Sequence, residues 1–172
     1  AIVNAVTLAI EQGTREGVVC DGAVAIDYVS LDDSVDGLLS EVAERANAER
    51  AAADPAAVAY LGPYNSAAAR ISIPILNEAG LVMVSPSNTA DDLTAGPDAA
   101  AYYPTGDRTY ARVVARDAFQ GAFGADWAVE LGAKKAALVV DRSSYGQAIA
   151  EQFELRATAN GLVVIRRDEV DG

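Results

Sequence analysis

The chain of 172 residues is acidic, with 13 Lys and Arg residues against 25 Asp and Glu residues and a formal net charge of −12 at pH 7. Nucleic acids and anionic membrane surfaces attract basic patches, so this charge argues against both as partners. Histidine is absent and Cys20 is the only cysteine. Within this chain, these counts exclude triads of the Ser–His or Cys–His kind, an intrachain disulfide and a cysteine-based zinc site.

The first third of the chain shows two helical patterns and one strand pattern. Apolar residues at helical spacing predict a helix over residues 1–12, broken by Gly13 and Gly17. No signal peptide pattern precedes this helix, and the lone Cys20 that follows it is expected to be a small packing residue. The apolar run at residues 23–31 predicts a buried parallel strand. Ser34 is then expected to cap a long helix whose apolar face comprises Val35, Leu38, Leu39, Val42 and Ala46.

The rest of the chain alternates between strand and helix patterns. Strands are predicted at residues 58–61, 81–84, 110–114, 136–140 and 162–165, and helices at residues 66–79, 117–132 and 145–160. Gly80 is the predicted end of the first of these helices, and residues 95–108 are predicted to form a loop. Such alternation predicts the α/β class with a parallel sheet.

Two polar turns follow predicted strands: GPYNS at residues 62–66 and SPSNT at residues 85–89. Small ligands bind at the carboxyl edge of an open α/β sheet, where such turns lie. Short hydroxyl side chains and free backbone N–H groups suit a carboxylate or a zwitterion. The same residues suit a purely structural role, with Asn65 or Ser66 and Thr89 as helix N-caps.

The stretch from residue 58 to residue 94 resembles the amino-acid-binding proteins of branched-chain amino acid ABC transporters. This is the leucine/isoleucine/valine-binding family of the type I periplasmic binding fold. The resemblance extends over nearly the whole chain, but the chain covers only about half of the family's length. It implies a partial fold of parallel three-layer αβα sheets. Residues 1–116 would form most of lobe 1 without its first strand, and residues 117–172 the beginning of lobe 2.

The resemblance also implies roles for individual residues. Ser66 occupies the position of a serine that binds the ligand α-carboxylate, and Ser87 that of a residue whose backbone carbonyl accepts from the ligand ammonium. Thr89 matches a threonine that adds its hydroxyl and backbone, and Tyr145 a tyrosine that closes over the ligand from lobe 2. The expected ligand-binding set is Tyr64, Asn65, Ser66, Ser87, Asn88, Thr89 and Tyr145.

A second pattern of the family lies around residue 115. Arg112 and Asp117 match a strand arginine and an aspartate before Gln-Gly, although Ala111 replaces the usual aromatic residue. Both are interpreted as structural, as an ion pair near the hinge, with ligand contact as the alternative. The helix that follows is expected to bury Phe119, Phe123 and Trp127, which lie four residues apart.

The expected function is that of an extracytoplasmic solute-binding protein, periplasmic or extracellular, with lipid anchoring left open. It would bind a branched-chain or related amino acid between two lobes and deliver it to ABC permease subunits, without cofactor or catalysis. A ligand-sensing domain of the same fold is the first alternative. An enzyme of flavodoxin-like or nucleotide-using type is the second, but no G-x-G-x-x-G, G-x-x-x-x-G-K-[ST] or G-x-S-x-G motif is present. A Mg²⁺ site at Asp32 is a minor alternative.

Overall fold

The computed structural model describes residues 2–17 and 23–171. The helices in this part of the chain are α1 (Ile2–Arg15), α2 (Glu41–Ala53), α3 (Ser66–Glu78), α4 (Asp117–Glu130) and α5 (Ser144–Ala159). The strands are β1 (Ser34–Val35), β2 (Leu38–Leu39), β3 (Ala59–Leu61), β4 (Val82–Ser85), β5 (Tyr110–Arg112), β6 (Lys135–Asp141) and β7 (Val163–Val170). Short 3₁₀ turns cover Asp91–Leu93 and Ala99–Tyr102. The expectation for Cys20 lies outside the described residues, and no described helix is long and apolar enough to cross a membrane.

The longer strands form two parallel sheets. In the first sheet β4 lies between β3 and β5, with Ala59 opposite Val82 and Met83 opposite Tyr110. In the second sheet β6 pairs with β7, with Lys135 opposite Val163. Helices connect consecutive parallel strands at β3–β4 and β6–β7, since a parallel pair needs a crossover. The predicted α/β class with parallel sheets is confirmed.

Each parallel sheet has its own hydrophobic core. The first core packs α2, α3 and the 3₁₀ turns on the β3–β4–β5 sheet; its large members are Ile73, Leu76, Met83, Leu93, Tyr103 and Tyr110. The second packs α4 and α5 beside β6 and β7 and is centred on Ala125, Ala157 and Leu162. The predicted boundary between residues 116 and 117 falls between these two cores. The assignment of the two units as lobes stays a prediction.

The predicted strand at residues 23–31 does not form. Residues 25–33 are neither helix nor strand. The side chains of Val24, Ile26, Tyr28 and Val29 are exposed. A strand requires a hydrogen-bonded neighbour, and no described strand pairs with this segment. An apolar, β-prone composition was therefore insufficient to predict a strand here.

The helix predicted from Ser34 is also wrong in its first turns. Residues 34–39 form a hairpin of β1 and β2 whose turn is Asp36-Gly37. Both turn residues have positive φ, 53° and 78°, as a type I′ hairpin turn requires. Helix α2 begins seven residues after Ser34, at Glu41, where Ser40 is the N-cap and its hydroxyl oxygen accepts from the N–H of Ala43. In the first helix, α1 continues past Gly13 to Arg15, and Gly17 follows its end with a positive φ of 66°.

Helix α4 packs through its small residues and not through its aromatic ones. Phe119, Phe123 and Trp127 are exposed, contrary to the prediction. Gly121 and Ala125 are buried instead, on the side that faces α5. Residues two apart on a helix lie about 200° apart around its axis, so the two sets occupy opposite faces. The close approach of α5 to Gly121 decides which face is buried.

Candidate ligand-binding site

The predicted turns meet at a cavity of about 600 Å³ at the carboxyl edge of the parallel strands. Its walls come from the segments after β3 and β4, from the first residue of α4 and from the first turns of α5. Leu39 adds a side chain from the hairpin. Because each helix follows a strand, the amino-terminal ends of α3, α4 and α5 all reach the cavity. The sequence therefore brings three partial positive charges to one place.

The first turn of α3 is open to the cavity. Asn65 is its N-cap residue, but the Asn65 side chain makes no capping hydrogen bond. Ser66 and Ala67 line the cavity, and their backbone N–H groups donate to no acceptor among the described residues. Unpaired N–H groups at a helix N-terminus attract an anion. This end of α3 therefore suits a carboxylate.

Ser66 connects the two polar turns. Its hydroxyl oxygen accepts hydrogen bonds from the backbone N–H groups of Thr89, at 3.1 Å, and Ala90, at 3.2 Å. A hydroxyl has one hydrogen to donate and two acceptor lone pairs. Since both lone pairs of Ser66 are engaged by the turn, its hydroxyl hydrogen remains available to donate. Neither Ser66 nor Thr89 acts as a helix N-cap.

The seven predicted residues divide into those that line the cavity and one that does not. Tyr64, Asn65, Ser66, Ser87, Thr89 and Tyr145 line it. Asn88 is fully buried, and its amide donates to the carbonyls of Pro63 and Tyr64, each at 3.0 Å. Its side-chain oxygen accepts from the Tyr110 hydroxyl. Asn88 thus holds the turns together beneath the cavity.

The start of α5 forms the opposite wall. Ser143 is the N-cap of this helix and accepts from the N–H of Gly146 at 3.0 Å. Tyr145 is exposed, and its hydroxyl lies 3.0 Å from the Gln120 amide nitrogen, which donates to it. The predicted Tyr145 thus lines the same cavity as the turns after β3 and β4.

Asp117 is a lining residue whose isolation the sequence did not reveal. It is 2% exposed, and its Oδ1 has no hydrogen-bond partner in the described part of the chain. Burial raises the pKa of this carboxyl, while the nearby Thr89 hydroxyl lowers it. The ion pair predicted with Arg112 is wrong, because the Arg112 guanidinium donates instead to the carbonyls of Asn88 and Ala90 and to Thr94.

Asp91, and not Asp117, accepts a hydrogen bond from the backbone at the start of α4. Its Oδ2 accepts from the N–H of Ala118 at 2.9 Å, and its Oδ1 lies 3.3 Å from an Arg116 nitrogen. The first turn of α4 is thus capped by a residue from outside the helix. Asp117 Oδ1 is left without a hydrogen-bond partner among the described residues.

A charged pair, Arg70 and Asp92, lies on the wall near Ser66. Arg70 Nε donates to Asp92 Oδ2 at 2.8 Å and Nη2 donates to Oδ1 at 2.9 Å. The Asp92 pKa is lowered by the hydrogen bonds from Arg70 and Tyr102, against the opposing effect of burial. Sequence reasoning missed Arg70, although its place four residues after Ser66 puts both on one helix face.

Two further observations bear on the alternatives. The Asp32 carboxylate accepts from the backbone N–H and hydroxyl of Ser34 at the hairpin, and no group of three possible metal-ligating side chains occurs in residues 2–17 and 23–171. A second, more open groove of about 670 Å³ runs along β7. The N-terminus of a helix does not contribute to that groove, so it offers none of the charge seen at α3.

A family model described as "Periplasmic binding protein" matches residues 1–172. The chain belongs to this family. Among curated proteins, a Leu/Ile/Val-binding protein homolog 3 from Brucella melitensis is 30% identical over 97 residues, which are 56% of this chain and 24% of that protein. The parallel sheets match the type I fold of periplasmic binding proteins, as predicted.

Solved structures agree with the family. A Desulfitobacterium hafniense ABC transporter substrate-binding protein in complex with Leu is 25% identical, with a TM-score of 0.81 over 99% of this chain and 47% of that one. The Streptococcus pneumoniae protein LivJ in complex with isoleucine is 22% identical, with a TM-score of 0.78 over 96% of this chain and 43% of that one. The chain thus spans about half the length of these periplasmic binding proteins.

Proposed function

We propose that the chain is part of an extracytoplasmic solute-binding protein that captures an amino acid or a related small carboxylate for an ABC permease. One observation carries this proposal: the open N-terminus of α3 and Asp117, whose Oδ1 has no partner among the described residues, line the same cavity. The first favours a negative group and the second a positive one. A zwitterion satisfies both.

The carboxylate of the ligand would accept from the backbone N–H groups of Ser66 and Ala67 and from the Ser66 hydroxyl. The ammonium would lie toward Thr89 and Asp117, with the Ser87 carbonyl as a further acceptor. Of these acceptors, only Asp117 carries a charge, and a buried charge is costly unless it is paired. Ligand binding would supply that missing partner.

Capture in this scheme is a movement of two units and not a reaction. Residues 1–116 and 117–172 would act as lobes, since their cores are separate. Tyr145 would approach the ligand from the second lobe as the cleft closes by a hinge motion. The relatives that contain Leu or isoleucine support an amino acid as the ligand. A structural relative from R. palustris in complex with benzoate supports the wider class of small carboxylates.

The proposal is tested by a thermal-shift screen of the full-length protein against amino acids and small carboxylates. A ligand that binds only the folded state stabilises it and therefore raises Tm. At a hundredfold excess of ligand over Kd, the free energy of unfolding increases by about 3 kcal/mol. Ser66→Ala together with Thr89→Ala is expected to abolish the shift, and Thr158→Ala, on an exposed face of α5, to preserve it. The proposal fails if no such compound shifts Tm or if the double variant responds like the unchanged protein.

The role of Asp117 predicts a pH dependence of affinity. Because the pKa of its carboxyl is raised, protonation begins at a higher pH than for an exposed aspartate. Affinity for a zwitterion is expected to fall as the pH drops through that pKa, since the neutral acid no longer attracts an ammonium. Titration calorimetry at a series of pH values measures this. Asp117→Asn should weaken binding and remove the pH dependence, whereas an unchanged profile in that variant would contradict the role.

A further inference from the structure

The Arg70–Asp92 pair is held in one orientation at the wall of the cavity. Two parallel hydrogen bonds of 2.8 and 2.9 Å join the guanidinium to the carboxylate, and the Tyr102 hydroxyl donates to Asp92 Oδ2 at 2.9 Å. A bidentate pair fixes direction as well as distance. The side chains are 31% and 35% exposed, so the pair is only partly shielded from the space it faces.

Hydrogen-bonding capacity remains on both partners. Arg70 Nη1 donates to no acceptor among the described residues, and Asp92 Oδ1 accepts from Nη2 alone. Arg70 lies one helical turn after Ser66, about 6 Å along α3. A ligand whose carboxylate sits at Ser66 would therefore have this pair within reach of its side chain.

The large apolar side chains that line the cavity are Leu39 and the aromatic rings of Tyr64 and Tyr145. Leu39 is the one aliphatic side chain larger than alanine among the described residues that line the cavity. A purely aliphatic ligand would remove water from Arg70 and Asp92 without replacing the lost hydrogen bonds. Such desolvation is costly because no new hydrogen bond compensates for it.

Building on the proposed function, we propose that Arg70 and Asp92 select an amino acid with a side-chain amide over an aliphatic one of the same shape. An amide carries both an acceptor oxygen and a donor nitrogen. Its oxygen accepts from Arg70 Nη1, and its nitrogen donates to Asp92. A ligand carboxylate would be repelled by Asp92, and a ligand ammonium by Arg70, so the neutral amide matches the pair best.

Titration calorimetry on the full-length protein tests this with asparagine, glutamine and leucine, since asparagine and leucine share one branched skeleton. At least one amide is expected to bind about tenfold or more tightly than leucine, because a site built for hydrogen bonds rejects a ligand that cannot make them. Arg70→Lys and Asp92→Asn should each reduce this ratio. Arg166→Lys, which alters an exposed ion pair with Asp168 on β7, should leave it unchanged.

The outcomes separate the two proposals. Leucine binding that is as tight as that of both amides overturns the selectivity. An unchanged ratio of amide to leucine affinity in the Arg70→Lys and Asp92→Asn variants also overturns it, provided that their melting curves remain cooperative. If leucine binds as tightly as both amides and Ser66→Ala weakens its binding, the proposed function stands while the selectivity fails. If none of the three amino acids binds, the amide selectivity is overturned directly, and the wider screen decides the proposed function.

Discussion

Replacing Gly121 with alanine is expected to lower Tm by many degrees through a steric clash between α4 and α5. A Cβ at this position would lie 2.6 Å from the Ile149 carbonyl oxygen, 2.6 Å from the Gln152 Cβ and 2.9 Å from the Phe153 backbone nitrogen. Two of these atoms belong to the α5 backbone and cannot move aside alone. The two helices would have to separate, and overpacking of this kind costs about 1–3 kcal/mol or more.

Gly124→Ala on the same helix is the matched control. There the nearest atom to an added Cβ is Phe153 Cδ2 at 3.4 Å, the end of a side chain that can adjust. Alanine is favoured over glycine inside a helix by about 1 kcal/mol, so this variant should be neutral or stabilised. Thermal and denaturant unfolding followed by circular dichroism measure both. Equal melting temperatures in the two variants would show that the contact at Gly121 does not limit the packing.

Glu44→Gln is expected to stabilise the protein at pH 8 and to have little effect near pH 4.5. Glu44 is 1% exposed, and the Tyr60 hydroxyl lies 3.2 Å from both of its carboxyl oxygens. No salt bridge between described residues includes Glu44. Burial raises the pKa of Glu44 from its ordinary value of 4.5 to about 7, and the negative charge of Asp33 adds to the effect.

The direction of the pH dependence follows from the raised pKa. Below about pH 4.5 Glu44 is protonated in both the folded and unfolded states, so its burial carries no charge penalty. Between pH 4.5 and 7 the unfolded chain loses this proton first, and the folded state loses about 3 kcal/mol of stability by pH 8. Glutamine keeps an acceptor for Tyr60 and cannot ionise, which removes this loss.

Measurement of Tm from pH 4.5 to pH 8 for the full-length protein and the Glu44→Gln variant isolates the effect, since other titrating groups are common to both. Glu49→Gln, on an exposed position of α2, is the control and should follow the unchanged protein. A constant difference in Tm between Glu44→Gln and the unchanged protein at every pH would show that Glu44 does not titrate in this range.

Local sequence signals predicted the α/β class and most elements after residue 55. In the segment before α2 two local signals competed, and the apolar spacing of Val35, Leu38 and Val42 imitated a helix. The Asp36-Gly37 pair is a strong signal for a hairpin turn, and these two residues form the turn that is observed. On α4 the four-residue spacing correctly placed the aromatic residues on one helix face. It could not reveal which face α5 approaches, because that depends on a contact about 30 residues away.

The candidate site was predictable where it depends on position along a strand. The turns that contain Ser66 and Thr89 follow β3 and β4 directly, so the topology places them together. The isolation of Asp117 was not predictable, since it arises from Arg112 bonding to backbone carbonyls instead. The pairing of Arg70 with Asp92, 22 residues apart, is likewise a product of tertiary packing.

The hydrogen bonds from Thr89 and Ala90 to Ser66 have a consequence for the kinetics of the proposed ligand capture. The receiving surface is already assembled before a ligand arrives, so docking need not order the two turns. A rigid, pre-formed surface lowers the entropic cost of association. First contact should then proceed at a rate set by diffusion and orientation, and movement of the α5 wall becomes the step that governs residence time.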